Sequence, residues 1–368
     1  MCDRAGIPVT GEAQELTPLV LDSLSRTLRR VQRSQHRDGG WGPQLEQSNF
    51  WHTAYAVLFL RAMRNVPVQG EPVDPGEMLP RGVAYLERHP ERWAADVLSV
   101  VPGISNYEIG LMGRCFYRVG RAYVRRESAL RIYRSIDRLY HSQNEDGGWD
   151  ANLWGYEVKT PTYVWSEVGA TSMVLQALAE AHEERFAAVV RKGMQWLAAS
   201  QNPDGSWNNG SCHPGSGPFQ LSGWPAVNKT CDALQGILAG QSLEIPLEPF
   251  GENINRGIRW LCSQVQPILG RFGQAGGNGG GFSIGDYEAI CMTLETLLWL
   301  PDAPIPELSA YVTWLLSSQR RQTGDVEDGS WIMGHTARIG LALAQYYWRS
   351  QGKQTQPTEP EPSVPWFL

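Results

Sequence analysis

Apolar positions along this chain recur at helical, not alternating, spacing. In the segment WSEVGATSMVLQAL, Val168, Thr171, Leu175 and Leu178 fall on one face, and Ala337, Leu341 and Ala344 do the same after Gly334. Comparable segments begin at Asn49, Asn106, Asn228 and Gly285, each opened by residues that favour helix caps and first turns. A second amphipathic helix precedes each of the six, and a Gly-rich polar turn joins the two. That turn is the most repetitive feature of the chain. It reads SQHRDGGWGP from Ser34, SQNEDGGWDA from Ser142 and SQNPDGSWNN from Ser200, with a looser copy, SSQRRQTGDVEDGSW, near the C-terminus. Two weaker copies are RGIRWLCSQ from Arg256, followed by GGGF at Gly279–Phe282, and RGVAYLERH from Arg81.

Each residue type in the turn has a physical role. Gln can hydrogen-bond a neighbouring turn, Asp can accept from turn N–H groups, Gly permits tight backbone, and Trp covers the apolar gap beside it. Six such hairpins either stack as an open solenoid or curl shut, and this turn chemistry favours closure. The predicted fold is all-α: an (α/α)6 toroid over residues 25–350, with the second helix of each hairpin in an inner ring. Residues 1–24 read as an N-terminal extension and 351–368 as a Pro-rich tail.

Composition narrows the classes. A chain of 368 residues with 42% hydrophobic content supports a large buried core. A net charge of -6 argues against a nucleic-acid partner, and the short basic run Arg26, Arg29, Arg30, Arg33 reads as a solvated helix face. Six cysteines without CxxC spacing, no apolar leader and no spanning run give a cytoplasmic expectation that leaves room for a peripheral membrane contact. No cofactor or metal is expected. Fifteen tryptophans call for wedges between helices, an aromatic-lined cavity, or both.

The candidate chemistry lies where the inner helices begin. His52, Glu108, Glu167, Asp232, Glu288 and His335 occupy early positions there, with Asp286 beside Glu288. Trp51, Tyr55, Tyr107, Trp165, Trp224 and Tyr287 are the neighbouring aromatics. Each acid alone reads equally well as a helix cap, since helix N-termini favour carboxylates. Their recurrence at one point of the unit raises a second reading. A carboxylic acid kept protonated by burial can protonate an alkene, and aromatic faces can steady the resulting cation. Asn106 beside Glu108 in NYE, and Asp286 beside Glu288 in DYE, are the groups that could hold the acid's hydroxyl; the choice of acid stays open. Cys115, Cys231 and Cys291 read as packing residues.

The pattern Lys192-Gly193-x-x-Trp196-Leu197-x-x-x-Gln201-x-x-x-Gly205-x-Trp207 resembles the QW motif of triterpene and diterpene cyclases, a superfamily that includes protein prenyltransferase β subunits. The resemblance runs from Leu28 to Tyr347 and is more specific for fold than for activity. It implies a single-domain class II cyclase similar to those acting on prenylated aromatic acids in bacterial meroterpenoid pathways. The family's general acid lies in Asp-x-Asp-Asp, opening the inner helix before a QNxDGGW turn. Here that place holds Asn106-Tyr107-Glu108-Ile109, which aligns Glu108 with the proton-giving Asp and departs from the motif as written. The prenyltransferase zinc ligands would correspond to Asp286, Glu288 and His335, with Glu in place of the thiolate, a poor zinc set.

The resemblance thus implies an isoprenoid or prenylated aromatic substrate, a monomer or homodimer, and Glu167 or His52 as the base that ends the reaction. The other readings are an enzyme using Asp286, Glu288 and His335, with or without a hard metal, and a non-catalytic isoprenoid-binding protein. His89, Arg114 and Lys229 are candidate contacts for an anionic head group.

Overall fold

The computed structural model describes residues 11–44, 47–68, 71–72, 74–88, 106–120, 123–150, 166–210, 224–274, 284–300, 305–322 and 332–351. Twelve α-helices fall in these segments. They are α1 (Gly11–Arg33), α2 (Phe50–Met63), α3 (Met78–Glu87), α4 (Asn106–Val119), α5 (Arg126–His141), α6 (Val168–Glu180), α7 (Ala187–Ala199), α8 (Val227–Ala239), α9 (Gly251–Gln274), α10 (Ile284–Leu298), α11 (Ile305–Gln322) and α12 (Ile332–Ser350). The described strands are short antiparallel pairs, such as Trp41–Gln44 with Gln47–Asn49, and make no closed sheet. Among the described residues the fold is all-α.

Contacts group the chain into two compact units, one running to Leu86 and resuming at Val265, the other spanning Glu87–Gln264. In the second unit α4, α6 and α8 lie side by side and parallel. The contacts advance together along both members of each pair, from Gly110 against Met173 to Arg118 against Glu180, and from Gly169 against Lys229 to Gly236 against Ser172. Missing side chains set the spacing. A Cβ on Gly110 would stand 2.8 Å from the Met173 carbonyl, and one on Gly236 would stand 2.9 Å from the Ser172 Cα. Helices α5 and α7 cover the outside of this row. In the first unit α2, α12 and α10 form a comparable parallel row, joined by a Trp348 indole N–H to the Ala62 carbonyl and by Arg349 to the Leu298 and Leu300 carbonyls.

The repeated turn fixes these rows, and three copies share one hydrogen-bond plan. Gln35 Nε2 donates to the carbonyls of Gly39 and Met78, Gln143 to Gly147 and Val189, and Gln201 to Gly205 and Asn253, at 2.8–3.0 Å. The second acceptors lie at the starts of α3, α7 and α9, so the Gln clamps one hairpin to the next. Asp38, Asp146 and Asp204 accept from the backbone N–H two residues on, at 3.0 Å. Trp41, Trp149 and Trp207 are fully buried, each indole N–H reaching the carbonyl ten residues back at 2.8 Å. Their backbone N–H groups donate to Thr53, Thr171 and Thr230 of α2, α6 and α8. Burying an indole removes on the order of 200 Å² of mostly apolar surface, a gross contribution of about 5 kcal/mol per turn. The looser C-terminal copy lies outside the described residues. No described helix is long and apolar enough to cross a membrane.

Candidate functional site

Because α4, α6 and α8 run parallel, their N-termini share one end of the second unit, and the sequence places an acid near each. Glu108 stands half-buried in the first turn of α4, with Tyr107 half-buried beside it. Asn106, the first residue of α4, is buried and donates its Nδ2 to the Asp150 carbonyl at 2.9 Å. Residues two apart project from opposite sides of a helix. Asn106 therefore anchors the start of α4 to the turn after α5 and does not hold the Glu108 carboxyl.

Glu167 caps α6 and accepts from the Ala170 N–H at 2.7 Å through one oxygen. Its other oxygen takes the Lys229 ammonium at 2.5 Å, an ion pair joining the heads of α6 and α8. Gly169 leaves the room for it, since a Cβ there would lie 2.6 Å from the Lys229 nitrogen. A lysine in the first turn of a helix faces the positive end of the dipole, so it requires anions nearby. Burial works against the Lys229 charge, but the Glu167 and Asp232 carboxylates outweigh it, and its pKa is raised above the ordinary lysine value. Asp232 is buried in α8, its carbonyl accepting from the Ser172 hydroxyl. Trp224, ahead of α8, is 69% exposed; Trp165 lies outside the described residues.

The first unit carries the other candidates. His52 is buried near the start of α2, and its Nδ1 lies 2.8 Å from Asn49 Oδ1. That oxygen is an acceptor that also caps the His52 backbone N–H, so Nδ1 carries a proton toward it. Trp51 stacks on Tyr55 with ring centroids 6.2 Å apart. The Tyr55 ring also faces the Arg338 guanidinium at 5.1 Å, and Arg338 in turn pairs with Glu295 of α10 at 3.0 Å. An aromatic face read as a seat for a substrate cation thus has a resident one. Asp286 and Glu288 stand half-buried in the first turns of α10. Tyr287 and His335 belong to α10 and α12, and their side chains lie outside the described residues.

Sequence reasoning missed a second polar centre, at the C-terminal ends of α4 and α6. Arg114 and Arg118, one turn apart on α4, both pair with Glu180 of α6, at 3.2 and 2.6 Å. All three side chains are buried. Burial pulls the Arg118 pKa below its usual value, and Glu180 opposes the shift. The available signal was the pair of arginines four apart inside an otherwise apolar helix, GLMGRCFYRV, where a solvated face has no place. Arg114, read as a contact for an anionic head group, is bound to Glu180.

Residues 110–288 match the family model of the squalene-hopene cyclase C-terminal domain. Over 268 residues the chain is 24% identical to a terpene cyclase–glycosyl transferase fusion protein of Humicola fuscoatra, which covers 65% of this chain and 18% of that protein. Over 148 residues it is 30% identical to the squalene–hopene cyclase of Zymomonas mobilis, covering 40% of this chain and 20% of the relative. The chain therefore spans about a fifth of the length of the curated relatives it matches. Among solved structures, the type II terpene cyclase MstE from Scytonema superposes with a TM-score of 0.56 at 14% identity, over 90% of this chain and 98% of that one. An inactive variant of an α-1,6-mannanase from Salegentibacter superposes with a TM-score of 0.60 at 11% identity, over 92% of this chain and 100% of its own. At such identities the two structures speak for the fold alone. Over residues 110–288 the chain is thus similar to squalene–hopene cyclases, and in fold it is similar to a type II terpene cyclase.

Proposed function

We propose that the chain is a type II terpene or meroterpenoid cyclase that protonates an alkene or epoxide of a prenyl chain and closes rings in sequence. The six hairpins with their QW-type turns form, in this reading, an (α/α)6 barrel over residues 25–350, with the inner helices around the substrate. The observation that carries it is the half-buried Glu108 carboxyl in the first turn of α4, at the end where α4, α6 and α8 all begin. The acid role requires that an apolar chain bind against this carboxyl and exclude water from it. Glu167 is a poor terminal base because both its oxygens are engaged.

Glu108→Gln tests the reading. The substrate to try first is geranylgeranyl dihydroxybenzoate, which is bound as substrate in a variant of the Scytonema cyclase. Loss of a general acid costs about 10²–10⁴ in kcat. Cyclised product, read by mass spectrometry, should fall by that factor while circular dichroism and the melting temperature stay unchanged. Normal turnover by the variant would remove Glu108 from the role and make Glu288 the next acid to test.

A further inference from the structure

Between Asp22 and Asp38 the chain carries five arginines and no acid. Arg26, Arg29, Arg30 and Arg33 belong to α1, and Arg37 to the turn that follows. With 3.6 residues per turn, the four helical ones fall within an arc of about 100°. Both flanking acids are engaged. Asp22 pairs with Arg26 at 3.2 Å, and Asp38 accepts from the Gly40 N–H and the Ser48 hydroxyl at 3.0 and 2.6 Å. Arg29, Arg30, Arg33 and Arg37 are exposed, and their guanidinium groups have no ion pair or hydrogen bond among the described residues.

A face built only for solvation does not need this arrangement. Like charges three or four residues apart destabilise a helix, and here Arg26 neighbours Arg29 and Arg30, which both neighbour Arg33. The helix dipole favours cations in the last turn alone, so it accounts for Arg30 and Arg33 and leaves Arg29 unexplained. Acids to neutralise the stripe are not scarce, since the chain has 38 acidic against 32 basic side chains. Two turns before Arg26, on the same face, Leu19 is 38% exposed, and Pro18 beside it is exposed as well. The face is thus apolar at one end and unneutralised at the other.

We infer that this face of α1 docks on an anionic phospholipid bilayer. The arginines meet lipid phosphates, which a planar guanidinium engages through two parallel N–H···O bonds. Leu19 and Pro18 enter the boundary between headgroups and acyl chains. The apolar end selects a bilayer over nucleic acid, whose phosphate backbone has no apolar layer to receive those two side chains. This surface is independent of the proposed cyclisation and of the residues assigned to it.

Vesicle flotation with the full chain tests the inference. The protein should rise with vesicles that are one-third phosphatidylglycerol and stay behind with pure phosphatidylcholine. Raising salt to about 1 M, where the Debye length is about 3 Å, should release it. An arginine near an anionic surface strengthens partitioning about fivefold, so Arg29→Gln combined with Arg37→Gln should weaken it about 25-fold. Neither residue lies in the last turn of α1, and circular dichroism should be unchanged. Arg126→Gln with Arg191→Gln removes the same charge from exposed positions on α5 and α7 and should leave partitioning within about twofold. Equal flotation with both vesicle types would overturn the proposal by removing its charge dependence. An equal loss in the two double variants would overturn it by assigning the effect to net charge. Failure to float at low salt would overturn it too, and retention of a duplex oligonucleotide through Arg29 and Arg37 would then give the stripe to nucleic acid.

Discussion

Gly205 and Gly76 separate two effects that are usually confounded. Both have left-handed backbone, with φ of +96° and +52°. A Cβ on Gly76 would meet nothing within 4 Å, whereas on Gly205 it would stand 2.4 Å from the Arg256 carbonyl oxygen and 2.6 Å from its carbon. Gly76→Ala therefore reports the conformational term alone: about 1–2 kcal/mol against an L-residue in this region, offset by about 0.4–1 kcal/mol from the stiffer unfolded chain. Gly205→Ala adds a backbone collision that no rotamer relieves. To escape it the turn must withdraw from α9, which loosens the Gln201 bond to the Asn253 carbonyl and the packing of Trp207. The expected total is about 3–5 kcal/mol, the range of a disrupted core aromatic, out of the 5–15 kcal/mol that folded domains usually possess. Urea titrations followed by tryptophan fluorescence and circular dichroism give the comparison. If the two variants differ by less than about 1 kcal/mol, the close approach between turn and helix is not a determinant of stability.

Two further outcomes are expected. The Lys229 pKa is raised in the folded chain, so the stability the ammonium contributes should be fully present below the ordinary lysine value of 10.5 and disappear as pH rises through the higher folded value. The difference in melting temperature between the natural chain and Lys229→Met should accordingly be flat from pH 7 to about 10 and vanish beyond it; a difference that shrinks with acidification instead would reverse the assignment. Burial pushes the Cys115 thiol up to about 12, so at pH 8 it should resist iodoacetamide until the chain unfolds, and rapid labelling of the native protein would contradict the packing of α4 described above.

Much of the architecture could be read from the chain before any coordinates. The Gln, Asp, Gly and Trp of the turn act through backbone groups a few residues away, and such local demands leave a recurring pattern. The starts of α2 and α6 were legible for the same reason, with Asn49 capping α2 and Glu167 capping α6. The Arg114–Glu180 and Arg118–Glu180 pairs join residues 66 and 62 positions apart, and no local pattern announces a partner at that distance. Arg338 and Glu295 escaped notice likewise, 43 positions apart on α12 and α10. Glu167 shows the opposite difficulty. Its place at a helix start gave equal warrant to a cap and to a reactive acid, and only the position of Lys229 tells how that carboxylate is engaged.

In all three copies the clamping Gln donates to a main-chain carbonyl of a later helix, those of Met78, Val189 and Asn253, and in the third copy its oxygen also accepts from the Asn253 and Arg256 side chains. The donating half of such a joint is blind to the identity of the side chains it grips. Hairpins can then be duplicated, and residues away from the turns exchanged, with that part of the seam left in register. A scaffold assembled this way tolerates wholesale turnover of its interior chemistry while its outline persists.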